Sequence, residues 1–224
     1  MLMVSLVQQF KVFLQVIPAR KWSGEVFKGK FNLLDLHRIQ GEIEVDLRTL
    51  KSLMGTFKTA HPSQILMPTV DIPACFAGKI CVKQVYQKKS SGTIGHMRGK
   101  QEHAKILQEL ICLDWGAILL DLTYQFVEEA AVEYGNPPGE VPSLRFVRTM
   151  LAEDHSNEKS FLVEEWIDNG AGFVKYINNG HPVACVQPDA PKEDHEIAEF
   201  LCFAQHVQFN ETNGLAYTSD YQGL

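Results

Sequence analysis

Apolar and polar positions alternate along Gly41–Leu47 (GEIEVDL), the period of a half-buried strand, and this stretch is expected to open a sheet. Met54–Met67 (MGTFKTAHPSQILM) reads as a strand leading into a loop, because His61-Pro62 is a turn signal. Gly78–Gln87 (GKICVKQVYQ) is β-prone, with Ile80, Val82 and Val85 apolar and Lys83 held within the strand, and Lys89–Gly99 follows as a Ser/Gly-rich loop. From Lys100 to about Val132 the period changes. Ala104, Leu107, Leu110, Ile111, Trp115, Leu119, Leu122 and Phe126 recur at helical spacing, predicting one helix bent near Gly116 or two in succession. Gly135–Pro142 (GNPPGEVP) is a linker, since Pro137-Pro138 ends any helix.

Leu144–Leu151 (LRFVRTML) and Ser160–Ile167 (SFLVEEWI) read as two strands of a hairpin, joined by a polar turn at Glu153–Lys159. Asp168–Gly172 (DNGAG) is a turn-rich connector, and Phe173–Ile177 is a further strand. Pro191–Phe203 is expected to be helical, with Pro191 in the first turn, acidic residues at that end, and Ile197, Phe200, Leu201 and Ala204 as its apolar face. After His206 an Asn213-Gly214 turn leads to a short strand that delivers Asp220, Gln222 and Gly223. Met1–Pro18 is apolar but interrupted by Gln8, Gln9, Lys11 and Gln15. Lacking a basic start and a cleavage signature, it predicts an amphipathic helix or strand packed on the domain in preference to an export signal, and it is too short and polar to span a bilayer. No other segment looks long enough to do so.

With 224 residues, 45% of them hydrophobic, the chain can bury a sizeable core. Its net charge of −6 argues against a nucleic-acid backbone or an anionic membrane as the main partner, since both favour basic faces. Cys75, Cys81, Cys112, Cys185 and Cys202 are odd in number and form no CxxC pair, as expected of reduced thiols in a cytoplasmic or otherwise intracellular protein.

The chemistry is concentrated at two places. A lysine inside a strand must reach water, a carboxylate or a phosphate, and Glu102 or Glu109 on the following helix could pair with Lys83. A carboxylate, an amide and a glycine at Asp220, Gln222 and Gly223 suit a metal-phosphate site, because hard cations take oxygen ligands and glycine lets a phosphate approach the backbone. Val163–Ile167 (VEEWI), just before the connector, reads either as a solvated acidic strand end or as a hinge whose backbone could bond a planar base. His61, His96, His103, His155, His181 and His195 show no ligand spacing and read as surface or packing residues.

Lys83 in CVKQVY, VEEWI before FVKYINN at Phe173–Asn179, and HVQF…SDYQG from His206 to Gly223 occur in the order of a known family. In this ordered set the chain resembles the α-kinases, the atypical serine/threonine protein kinases. The resemblance implies an α+β, two-lobed protein-kinase-like fold, with an N-terminal arm over 1–29, a β-rich N-lobe with a helical insertion over 30–165, and the start of a C-lobe over 168–224. It implies that ATP binds between the lobes and that its γ-phosphoryl group moves to Ser or Thr of a protein whose identity is not legible. Lys83 would hold the ATP phosphates, Glu164 would sit at the adenine hinge, Lys175 would support the lobe connection, and Asp220 and Gln222 would hold magnesium and phosphate. His206, fourteen positions before Asp220, matches the first ligand of the family's structural zinc site. The family's second aspartate, glycine-rich loop and remaining zinc ligands would lie beyond Leu224, so the C-terminal lobe is expected to be incomplete. The alternative expectations are a catalytically impaired, pseudokinase-like nucleotide- or protein-binding module, or an incomplete gene product.

Overall fold

A computed structural model describes residues 7–17, 22, 38–47, 57–67, 71–88, 94–154, 156–168 and 172–223. The described elements are, in order, β1 (Val7–Val16), β2 (Arg38–Asp46), β3 (Lys58–Met67), β4 (Lys79–Lys88), β5 (Ile94–His96), α1 (Gly99–Tyr134), β6 (Thr149–Asp154), β7 (Lys159–Glu165), β8 (Val174–Lys175), α2 (Lys192–Glu211) and β9 (Gln222–Gly223). They gather into two compact units built from separated stretches. The first holds β1 to β7 with the beginning of α1; the second holds the rest of α1 with β8, α2 and β9.

In the first unit the strands pair antiparallel in the order β3-β2-β1-β6-β7-β4-β5, and β3 also pairs with β4 from Lys58 to Gln64. Six strands therefore close on themselves, which removes the open edges a sheet would otherwise expose. The period-2 alternation sends Phe10, Val12 and Leu14 of β1, Ile80 and Val82 of β4, and Phe161 and Val163 of β7 into one core with Ile43 and Met150. The opposite face carries Val85, Leu151 and Leu162, which pack with Ile106 and Leu110 of α1. Val7–Val16, the described part of the expected arm, is an inner strand between β2 and β6.

Several expectations change. β3 runs straight through His61-Pro62, because the β2–β3 ladder begins only at Ser63 and proline's missing N–H is tolerated where a ladder has ended. α1 is a single helix of 36 residues: no proline interrupts it, and Gly116 lies where Phe146 comes close, a Cβ there meeting the ring at 2.8 Å. By length and composition α1 could also cross a bilayer, contrary to the sequence expectation, but a core helix passes the same test, and Ile106, Leu110, Ile118, Leu119 and Leu122 are buried. The expected loop at Lys89–Gly99 contains β5, and the hairpin's first strand starts at Thr149, since Leu144 and Phe146 pack into the second unit's core instead. The residues before Phe57 in the expected Met54 strand, most of the Asp168–Gly172 connector, and His155 lie outside the described residues.

The second unit is organised on α2, longer than expected and extending to Glu211. Ile197, Ala198 and Leu201 pack with Tyr176, Ile177 and Tyr221, and Phe200 stacks on Tyr124 at 5.6 Å. The Tyr124 hydroxyl donates to Pro142 O at 2.7 Å and accepts from Leu144 N–H at 2.7 Å, which fixes the end of the proline-rich linker. β8 and β9 form a two-stranded ladder in which Lys175 faces Gln222.

Candidate functional site

Lys83 sits on β4 opposite Leu162 of β7, while Glu164 of β7 sits opposite Cys81. Residues two apart on a strand share a face, so Lys83 and Glu164 are diagonal neighbours, and their side chains meet with Nζ to Oε2 at 2.6 Å. The lysine's partner is therefore Glu164 and not a residue of α1. Glu109 instead pairs with Lys58 at 2.5 Å, and Glu102 accepts the Ser160 N–H at 2.9 Å. The helical residues were plausible by proximity in sequence; the strand register, which sequence does not print, decides the matter. Beside this pair Cys81, opposite Glu164 on the neighbouring strand, has its thiol pushed up to about 11 by burial, the Glu164 carboxylate adding to the rise and Lys83 opposing it.

Glu102 is buried, and burial raises its carboxyl to about 7 against the pull of the Ser160 N–H and of Lys159 and Arg98. Nearby, Glu153 gathers Gln15 at 2.5 Å, Arg38 at 3.1 Å and His103 at 3.2 Å. Sequence reasoning passed over Glu153, which it placed in a turn. Its register opposite Phe13 of β1 makes it a polar anchor for three separate segments.

In the second unit Asp220 precedes β9 with φ at 65°, a conformation uncommon for a residue with a side chain. Its exposed carboxylate is ion-paired with Lys175 of β8, whose Nζ also donates to Asp220 O at 3.3 Å. Gln222 is exposed one pleat further along. The structure thus brings Lys175, Asp220 and Gln222 together, and Lys83 with Glu164, each set within its own unit. His206 is exposed on α2, and among the described residues no three His, Cys, Asp or Glu side chains converge in a way that could hold a metal.

No family sequence model matches the chain, and no curated protein sequence does. Solved structures do. An α-kinase from Entamoeba histolytica is similar over 97% of this chain and 72% of its own, with a TM-score of 0.58 and 13% identity. The apoenzyme α-kinase domain of myosin-II heavy chain kinase A matches over 97% of this chain and 79% of its own, with a TM-score of 0.50 and 12% identity. A C-terminally truncated α-kinase domain of myosin heavy chain kinase gives 0.50 at 11% identity, over 97% and 80% of the two chains. Likeness at such low identity speaks to architecture, and the fold of this chain is that of the α-kinase domains.

Proposed function

We propose that the chain is an α-kinase-type protein kinase domain, intracellular, that binds ATP with magnesium and transfers the γ-phosphoryl group to Ser or Thr of a protein. The observation that supports this most is that a chain with the α-kinase fold carries Lys83, VEEWI, KYINN and SDYQG in that family's order. Lys83 would engage the phosphates, its ammonium held by the Glu164 carboxylate as in the lysine–glutamate pair that positions a phosphate-binding lysine. The backbone around Glu164 would take the adenine. Asp220 and Gln222 offer a carboxylate and an amide oxygen at an exposed strand end, donors that fit magnesium. When bound, magnesium would neutralise phosphate charge, and alignment with electrostatic stabilisation would supply most of the rate. Zinc has no part in the proposal, because His206 has no converging partners among the described residues. The five free thiols accord with an intracellular setting.

The test is transfer of radiolabel from γ-labelled ATP to a basic protein substrate, with phosphoamino-acid analysis. Label on Ser or Thr that falls on the order of 100-fold in Lys83→Ala and Asp220→Asn is the expected result. Wild-type incorporation no greater than that of Lys83→Ala overturns the kinase reading. If ATP with magnesium still raises the melting temperature in that case, the chain is a nucleotide-binding module without turnover.

A further inference from the structure

Two buried glutamines on one face of α2, Gln205 and Gln208, have polar ends that the proposed chemistry leaves unexplained. An amide buried on an apolar helix face is costly unless it is hydrogen-bonded. Here the bonds converge on the backbone of one residue. Gln208 Oε1 accepts the Thr218 N–H at 2.8 Å, and Gln205 Nε2 donates to Thr218 O at 2.9 Å. Gln208 Nε2 reaches Thr123 Oγ1 at 3.2 Å and the Tyr221 hydroxyl at 3.4 Å. The orientation of the Gln208 amide follows, since a backbone N–H can only donate and so must face the oxygen.

Two residues earlier the same device recurs. Thr212 Oγ1 accepts from Ala216 N–H at 3.0 Å and donates to Ala216 O at 2.9 Å. The segment from Ala216 to Thr218 is therefore paired at alternate residues to side chains of α2 and of Thr212, which caps its C-terminus, as a strand would be paired to a neighbouring backbone. On the far side, Tyr221 O accepts from Tyr176 N–H at 3.0 Å and Ile177 N–H at 3.3 Å, and its ring is buried beside Phe146. Only Ser219 and Asp220 lie between these two anchors, and Asp220 is the residue with positive φ. A strained backbone persists where its surroundings over-determine it.

We propose that Gln208, with Gln205, is a positioning residue: Gln208 holds the Thr218 N–H and Gln205 the Thr218 carbonyl, and together they fix the backbone conformation that presents the Asp220 carboxylate to a divalent cation. The inference rests on the reading of Asp220 as a metal ligand. The full chain is titrated with manganese(II), followed by electron paramagnetic resonance, in the presence of a non-hydrolysable ATP analogue, and analogue binding is measured separately without metal. Wild type is compared with Asp220→Asn, Gln208→Met and the milder Gln205→Met, which breaks only the bond to Thr218 O and keeps the test open if Gln208→Met does not fold. The expected result is a loss of manganese affinity of about tenfold or more in Gln208→Met, a smaller loss in Gln205→Met, and metal-free analogue binding within about twofold of wild type in both. Unchanged manganese affinity in the folded glutamine variants, or an equal loss of metal-free binding, overturns the positioning role while leaving Asp220 in place. Equal manganese binding by wild type and Asp220→Asn overturns both readings, and this outcome is recognised before any glutamine variant is made.

Discussion

Glu102→Gln isolates one buried charge. In the folded chain the Glu102 carboxyl is raised to about 7 from an ordinary value of 4.5, chiefly by burial. Below about pH 4.5 the group is protonated both folded and unfolded and contributes no pH dependence. Between about 4.5 and 7 the unfolded chain gives up a proton that the folded chain keeps, so stability falls as pH rises through this window. Above about 7 the penalty is fully present. At 1.36 kcal/mol for each pH unit between the two values it amounts to about 3 kcal/mol. Glutamine retains an oxygen for the Ser160 N–H, now bonded at 2.9 Å, and carries no charge at any pH. Urea unfolding of wild type and variant at half-unit steps from pH 4 to 8 measures the effect. The two should be nearly equal at pH 4, and the variant should be more stable by about 2–3 kcal/mol at pH 8. A difference that does not change with pH would refute the reasoning, since it would mean that Glu102 ionises in the fold as freely as it does in water.

Other outcomes follow from the same contacts. Gly116→Ala should destabilise by about 1–2 kcal/mol in denaturant unfolding, because the Phe146 ring lies 2.8 Å from the new Cβ and the overlap exceeds the helix-propensity gain. Adding Phe146→Leu should recover part of the loss. Tyr124→Phe removes both hydrogen bonds that hold the linker and should cost about 1–2 kcal/mol, with faster hydrogen exchange at the Leu144 amide. A double-mutant cycle of Lys83→Met and Glu164→Gln should give a coupling of about 1 kcal/mol that shrinks with added salt, as the Lys83 side chain is 27% exposed and that of Glu164 11%.

Much of the scaffold was legible because its signals are local. The alternation in GEIEVDL and GKICVKQVYQ, the paired runs around the β6–β7 turn, and the apolar face of α2 each fix an element through residues close in sequence. What escaped depends on partners far away. Pro62 signals a turn unless a neighbouring ladder happens to stop beside it, and Gly116 signals a break unless an aromatic ring fills the space its missing side chain leaves. The identity of Lys83's carboxylate partner turned on a register between strands separated by α1, which placed Glu164 two residues along from Leu162 and left Glu102 and Glu109 to other partners. Asp220 and Gln222 could be singled out by residue type alone. Their attachment to Lys175 follows from β8 pairing with β9, again a contact that the sequence alone does not specify.

The ring of strands sets an order of events during synthesis. β1 pairs on one side with β2 and on the other with β6, where Phe13 meets Glu153, so β1 must wait for a strand made much later before both its edges are satisfied. Until then a nascent chain presents a ten-residue strand, apolar along one face, with an open edge, the kind of surface that chaperones bind and that strays into aggregates. Part of the second unit is translated inside that interval. A shortened version starting beyond Val16 would therefore lose a stave from the ring rather than a dispensable tail, and protein made that way should be recovered from inclusion bodies.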